Sequence, residues 1–210
     1  MKISYAITVC NELIEIQKLI PVLLQHKRKQ DEIVILYDQK NGNEEVVNYL
    51  RRFSKLPNVQ FWRGLDFNGH FADWKNILTS YCNGDYIFQI DADEIPNETL
   101  LNNLPSILEN NPENEVYLVP RVNTVEGLTQ EHINKWGWNV NDKGWVNFPD
   151  YQWRVWKNLP EIKWKNKVHE VLDGFKTYSA LPLDKGLALY HAKTIDKQEK
   201  QNSYYESISN

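Results

Sequence analysis

The hydrophobic positions of the first 94 residues alternate between short apolar runs and longer stretches with helical spacing. Four apolar runs predict β-strands, at residues 3–9, 32–37, 59–62 and 85–90, of which the run at 59–62 is short. Between them, apolar residues recur every three or four positions and predict helices, at residues 11–25, 43–53 and 71–82. Strands that alternate with helices of this length favour right-handed crossovers and a mostly parallel sheet with helices on both faces.

After residue 94 the pattern is less regular. Later segments predict one helix and three short strands, at residues 97–109 and at residues 115–122, 162–172 and 186–192. Between the first two of these strands, turn residues alternate with aromatic residues and indicate a loop followed by a further strand. The polar end, residues 196–210, predicts a short helix that frays. We therefore expect one α/β domain over residues 1–210, with a helix-flanked central sheet and a small additional β region in its C-terminal half.

Composition and charge are those of an ordinary folded domain and exclude few functions. The net charge of -4 argues against a surface that coats nucleic acid. Cys10 and Cys82 lie in apolar surroundings without metal-ligand spacing, which is typical of buried thiols in a reducing compartment. The N-terminus is too polar for a signal peptide, and no segment approaches the roughly 18 apolar residues of a membrane span. We expect a cytoplasmic protein without a transmembrane segment.

The candidate chemistry lies where the strand at 85–90 ends, in Asp91, Ala92, Asp93 and Glu94. Residues two apart on an extended backbone point to the same side, so Asp91 and Asp93 can reach one centre. Ligands of α/β sheets bind beyond the carboxyl ends of the strands, and paired carboxylates suit Mg²⁺ or Mn²⁺. The alternative is a solvated turn in which Asp93 or Glu94 caps the next helix.

Several segments in this order resemble a family 2-type glycosyltransferase with the GT-A fold. Over about residues 3–94 they are "ITVCNE", Asp38, "FADWKN" and "GDYIFQIDADE"; later come "WRVWKN", "VHEVLDG" and "LYHAK". The resemblance implies a nucleotide-binding half at 1–94, an acceptor-binding half at 95–195 and a polar tail. It also implies transfer of a sugar from a nucleotide-diphosphate donor, most commonly a UDP-sugar, to an acceptor hydroxyl.

The resemblance assigns the donor contacts residue by residue. Asn11, Glu12 and Asp38 would hold the base and ribose, although "LYDQKNGNEE" departs from the usual residues after the second strand. Lys75 and Asn76 would steady the acidic motif and the donor.

The same resemblance implies a Mn²⁺ or Mg²⁺ site. Asp91 would contact the ribose or the metal, and Asp93 would be the main ligand, bridging to the diphosphate. His191 would be a further metal ligand, and Lys193 would contact phosphate. His191 has the alternative of an ordinary hydrogen-bonded histidine.

The acceptor half carries the implied general base and a set of tryptophans. Glu170 matches the position at which inverting members carry a base, and an acceptor hydroxyl needs such a carboxylate to take its proton. Arg154 is either an acceptor contact or part of an internal ion pair. Trp136, Trp138 and Trp145 lie in a Gly- and Asn-rich stretch, where they either stack on an acceptor or pack a small sheet.

Two other functions stay open at this stage. A sugar nucleotidyltransferase shares the fold, but its phosphate loop needs Gly and basic residues after the first strand, and "TVCNELIE" has neither. A carbohydrate-binding module or inactive relative would bind sugar without metal-dependent nucleotide binding. The resemblance implies a saccharide of a cell-surface glycan or of a lipid-linked precursor as the default acceptor. A protein side chain and a modified nucleobase are the alternatives, and the net acidic charge modestly disfavours the nucleobase.

Overall fold

The computed structural model describes residues 1–65 and 67–209. The strands are β1 (Ile3–Val9), β2 (Glu32–Asp38), β3 (Val59–Gly64), β4 (Tyr86–Asp91), β5 (Ile95–Pro96), β6 (Val116–Glu126), β7 (Val146–Lys157), β8 (Lys163–Lys165), β9 (Val171–Asp173), β10 (Tyr178–Ala180) and β11 (Leu189–Thr194). The helices are α1 (Leu13–His26), α2 (Glu44–Arg51), α3 (Phe71–Ser80), α4 (Glu98–Asn110), α5 (Gln130–Trp136) and α6 (Ile195–Ser209).

Most strands join one sheet in the order β3-β2-β1-β4-β7-β6-β11-β5, with β10 also paired to β6. The pairs among β3, β2, β1 and β4 are parallel, as are those of β6 with β10 and β11. Strand β7 runs antiparallel to both β4 and β6, and β5 runs antiparallel to β11. The predicted mostly parallel, helix-flanked sheet is confirmed.

Strands β1, β2 and β4 are buried because helices cover both of their faces, whereas β3 at the edge of the sheet is largely accessible. On one face, Ile3, Tyr5 and Ile7 of β1 join a core with α1, α2 and α4. On the other, Ala6 of β1 packs with Trp74 and Leu78 of α3. Burial on both faces explains why these strands have nearly continuous apolar sequences.

The later elements depart from the sequence prediction in detail. The segment predicted as one strand at 162–172 forms two short strands, β8 and β9, which pair as a separate antiparallel sheet. The tail that was expected to form a short fraying helix is helical from Ile195 to Ser209. The prediction of a further strand in the aromatic stretch is confirmed by β7, and helix α5 precedes it.

Candidate active site

A cleft of about 1160 Å³ opens at the carboxyl ends of β1, β2 and β4. Most of the predicted site residues line it: Asn11, Glu12, Asp38, Lys75, Asp91, Asp93, Trp138, Arg154, Glu170, His191 and Lys193. Strand pairing explains their convergence, because Thr8 of β1 pairs with Asp91 of β4 and brings the two strand ends together. The volume slightly exceeds the usual range of about 300–1,000 Å³ for ligand pockets, which suits a cleft for two substrates.

Asp91 is held by two cations. Its Oδ2 is 2.6 Å from Nη2 of Arg154, and its Oδ1 is 3.6 Å from Nζ of Lys75. Arg154 reaches it because Phe88 of β4 pairs with Val155 of β7, so Arg154 lies beside the end of β4. Burial disfavours the charged form of Asp91, but Arg154 and Lys75 outweigh it and hold the pKa well below its usual range. Arg154 therefore forms an internal ion pair, one of its two predicted alternatives.

Glu94 is the buried anchor of the acidic motif. Its side chain is inaccessible to solvent and accepts hydrogen bonds from Nη2 and Nε of Arg154, at 2.6 and 3.0 Å. It also accepts from Nη1 of Arg121, at 2.9 Å, and from the backbone N–H of Asp91, at 3.2 Å. Helix α4 is instead capped by Asn97, whose side chain accepts from the N–H of Thr99. The alternative that Asp93 or Glu94 caps this helix is wrong.

Asp93 faces a group of basic side chains. Its Oδ2 lies 3.3 Å from Nε2 of His191, 3.4 Å from Nζ of Lys197 and 3.9 Å from Nζ of Lys193. The pairing of Tyr190 with Ile95 between β11 and β5 brings His191 beside Asp93. Burial opposes the charge of Asp93, but its contacts with His191, Lys193 and Lys197 outweigh this and hold its pKa far below the usual range.

Lys75 links the acidic motif to Glu170. Its Nζ is 3.0 Å from Oε1 of Glu170 and lies 4.7 Å from the centre of the Trp164 ring. Asn76 exchanges two 2.9 Å hydrogen bonds with the backbone of Trp164, and so ties α3 to the β8–β9 sheet. Glu170 lies immediately before β9 and lines the cleft. The hydrogen bonds of Asn76 therefore help to fix the position of the β8–β9 sheet, and with it that of Glu170.

The predicted base- and ribose-binding end is ordered by its own hydrogen bonds. Oε2 of Glu12 accepts from the backbone N–H groups of Cys10 and Asn11, at 2.8 and 3.0 Å. Burial raises the pKa of Glu12 despite these bonds. Asp38 is buried and accepts from the backbone and the side chain of Asn41, at 3.2 and 2.7 Å. These contacts shape the two loops that a nucleotide would meet.

A comparison with models of known protein families shows to which family the chain is related. The sequence model described as glycosyl transferase family 2 matches residues 4–187. The chain belongs to this family. No curated protein matches it in sequence.

Solved structures confirm the GT-A fold of this family 2 chain. The S. aureus protein TarS, as residues 1–349, superposes with a TM-score of 0.66 at 14% identity, covering 91% of this chain and 60% of TarS 1–349. The same TarS fragment in complex with UDP-GlcNAc gives a TM-score of 0.67 at 15% identity, covering 92% and 59%. The chain thus spans about three fifths of the TarS fragment. In the part of the chain that the structure describes, no helix is long and apolar enough to cross a bilayer.

Family 2 membership implies a divalent cation, and Asp93 and His191 fit one. Adjacent ligands of an octahedral ion at about 2.0–2.1 Å lie roughly 3 Å apart, and Oδ2 of Asp93 is 3.3 Å from Nε2 of His191. Among the described residues, no group of three or more His, Cys, Asp and Glu side chains forms a metal site. Water and donor phosphates would therefore supply the remaining ligands, as is usual for Mg²⁺. Asp91 is directed to Arg154 and Lys75 instead.

The aromatic residues divide into two groups. Trp138 lines the cleft and contacts Trp136, whose ring in turn stacks on His132 with centroids 5.2 Å apart. Trp145 packs edge-on against Phe148, with centroids 4.9 Å apart. Of the three tryptophans predicted to stack on an acceptor, Trp138 is therefore the best candidate, and Trp136 packs against it.

Sequence reasoning missed several residues of the site. Arg121, Asn123 and Asp150 enter the cleft from β6 and β7, and Lys197 enters the acidic cluster from α6. The available signal was weak: Arg121 lies at the end of the predicted strand at 115–122, and Asn123 lies just beyond it.

Proposed function

We propose that this chain transfers a sugar from a nucleotide-diphosphate donor, a UDP-sugar, to an acceptor hydroxyl, with a divalent cation and with inversion. The observation that carries the proposal is that one cleft is lined both by the Asp93–His191 pair and by Glu170. Family 2 membership and the fold shared with TarS, which was crystallised with UDP-GlcNAc, support the donor class.

The donor is expected to lie along the ends of β1, β2 and β4. Asn11, Glu12 and Asp38 would meet the base and ribose at one end of the cleft. Lys193, which contacts Gln201 of α6, would meet the diphosphate at the other end. Burial lowers the pKa of Lys193 despite its carboxylate neighbours, so an anionic phosphate is a favourable partner for it.

Asp93 and His191 would hold the cation against the diphosphate. When bound, the cation neutralises charge that develops on the leaving nucleotide diphosphate. Arg154 and Glu94 fix the backbone of the motif from the buried side, which restricts where Asp93 can lie.

Glu170 would take the proton from the acceptor hydroxyl as the new glycosidic bond forms. Its carboxylate is largely buried on the cleft wall and is oriented by Lys75 at 3.0 Å. A carboxylate base that activates the acceptor on the face opposite the leaving group gives inversion.

The acceptor platform predicts a contrast between two tryptophans. Trp138→Ala is expected to raise the acceptor KM about 5- to 150-fold, because aromatic stacking is worth about 1–3 kcal/mol. Trp145→Ala, which loses its contact with Phe148, is expected to lower stability by about 0.5–3 kcal/mol with little change in KM. Acceptor kinetics and thermal unfolding of both variants measure this. A loss of stability alone in Trp138→Ala would assign that ring to packing.

Metal-dependent binding of UDP tests the proposed function most simply. The wild-type protein is expected to bind UDP with Mn²⁺ and much more weakly without it. Asp93→Asn removes the charged ligand and is expected to abolish the difference that Mn²⁺ makes. Isothermal titration calorimetry of both proteins measures the UDP affinity with and without Mn²⁺. A UDP affinity that depends neither on Mn²⁺ nor on the Asp93→Asn substitution would contradict the proposed cation site.

A further inference from the structure

Polar side chains on three neighbouring strands form a series of hydrogen bonds that ends at His191. Strand β11 pairs in parallel with β6, with His191 in register with Asn123. Strand β6 pairs on its other side with β7, where Arg121 is in register with Asp150. The pairing of β6 with β7 is irregular between Arg121 and Asn123, where Asn123 is opposite Val146. Both side chains nevertheless line the cleft and contact Asp150. Hydrogen bonds therefore link Asp150 to Asn123 and Asn123 to His191 across the three strands.

Asp150 determines which way the Asn123 amide faces. Its Oδ2 accepts hydrogen bonds from Nε and Nη2 of Arg121, at 2.9 and 2.6 Å, and from Nδ2 of Asn123, at 2.8 Å. Burial opposes its charge, but Arg121 and the hydrogen bonds outweigh this and lower the pKa of Asp150. An ionised carboxylate only accepts hydrogen bonds, so the NH₂ group of Asn123 has to face Asp150. The Asn123 oxygen therefore faces His191.

The oxygen of Asn123 in turn determines how His191 presents its ring. Oδ1 of Asn123 lies 2.7 Å from Nδ1 of His191, a distance that requires a proton on Nδ1. In the neutral ring the lone pair is then on Nε2, the atom 3.3 Å from Oδ2 of Asp93. Oδ2 of Asp93 also carries lone pairs, so the two atoms are favourable neighbours only when a cation lies between them, either a second ring proton or a metal ion. The arrangement matches that of metal-binding histidines, whose other ring nitrogen donates to a fixed acceptor.

We propose that Asn123, anchored by Asp150, is a positioning residue that presents Nε2 of His191 to the divalent cation it shares with Asp93. This inference rests on the cation site of the proposed function. It adds Asn123 on β6 and Asp150 on β7 as the residues that orient the His191 ligand. Asn123 itself is expected to touch neither the cation nor the donor. Its effect is transmitted through one hydrogen bond to Nδ1 of His191.

Asn123→Leu tests the proposal, because leucine keeps the volume and removes the acceptor. Mn²⁺ affinity, titrated by electron paramagnetic resonance with UDP present, is expected to fall about 10- to 100-fold. The electron spin-echo modulation from a directly bound histidine nitrogen, expected in the wild type, should be lost. His191→Gln assigns that signal, and Asn123→Ala serves as a second variant if Asn123→Leu does not fold.

An exchange of the two side chains should restore the site. In the double variant Asn123→Asp/Asp150→Asn, a carboxylate at 123 again accepts the Nδ1 proton and the total charge is unchanged. We expect it to recover Mn²⁺ affinity to within a few-fold of the wild type, together with the histidine signal. Gln152→Leu is the matched control, because Gln152 donates to Oδ1 of Asp150 at 2.7 Å, whereas Asn123 donates to the other oxygen, Oδ2.

Two results would overturn the proposal. One is an Asn123→Leu protein that keeps both its Mn²⁺ affinity and the histidine nitrogen signal. The other is a wild-type complex with Mn²⁺ and UDP that shows no histidine nitrogen at the metal. Neither readout measures sugar transfer, so a failure to transfer from UDP-sugars would leave this inference standing while removing the proposed reaction.

Discussion

Glu170→Gln is expected to lower kcat about 10²- to 10⁴-fold, the usual contribution of a general base, with UDP binding unchanged. Glutamine keeps the size of the side chain and a hydrogen-bond acceptor for Lys75, which lies 3.0 Å from Oε1. It cannot accept the proton of the acceptor hydroxyl, so the loss should appear in kcat. Release of UDP from a UDP-sugar at saturating donor and acceptor measures it.

Glu161→Gln is the matched control for this experiment. Glu161 is exposed and lies just before β8, on the same segment of chain as Glu170. Its replacement is expected to leave kcat and stability unchanged. If Glu170→Gln turns over at the wild-type rate, Glu170 is not the base and the inverting mechanism loses its support.

The second large effect concerns stability. Arg154→Met is expected to lower the free energy of unfolding by about 3–5 kcal/mol, because it removes the cation that contacts two carboxylates, one of them the fully buried Glu94. Arg154 is buried and pairs at 2.6 Å with both Asp91 and Glu94, and Glu94 has no solvent exposure. Urea unfolding of the wild type and the variant measures the difference. Arg51→Met, at an exposed position on α2, is the control and should change stability by less than about 0.5 kcal/mol.

The pH dependence of this loss has a defined sign. The pKa of Asp91 is held well below its usual range in the folded protein, chiefly by Arg154 acting against burial. Its contribution to stability is therefore present above the unfolded pKa of about 3.9 and is lost as the pH falls toward the folded value. We expect the gap between wild type and Arg154→Met to be full at pH 7 and to narrow below about pH 4. A gap that does not change with pH would show that the loss comes from packing.

The first half of the fold could be predicted because its signals are local. Predicted strands at 3–9 and 85–90 correspond to Ile3–Val9 and Tyr86–Asp91, since strands buried on both faces have continuous apolar sequences. The insertion of β7 between β4 and β6, antiparallel to both, depends on contacts far apart in sequence. No local pattern specifies such a partner.

The site residues, too, could be predicted where the signal was local and not where it depended on contacts between distant parts of the chain. Asp91, Asp93 and Glu170 could be named because each lies in a short motif of the family. The network of Arg121, Asp150 and Asn123 forms only when β6 lies between β7 and β11, so sequence position alone did not indicate it. Lys197 was missed because the polar tail predicted a fraying end, whereas α6 carries it to within 3.4 Å of Asp93.

Thermal stabilisation by UDP, GDP, CDP and dTDP, each with and without Mn²⁺, tests the central claim most directly. A ligand at 100 times its Kd adds about 2.7 kcal/mol to the free energy of unfolding, which is readily seen as a higher Tm. We expect a clear rise in Tm with UDP only when Mn²⁺ is present, and no such rise for Asp93→Asn. Stabilisation by none of the four nucleotides, with or without Mn²⁺, would contradict a nucleotide-sugar transferase and favour a carbohydrate-binding module or an inactive relative.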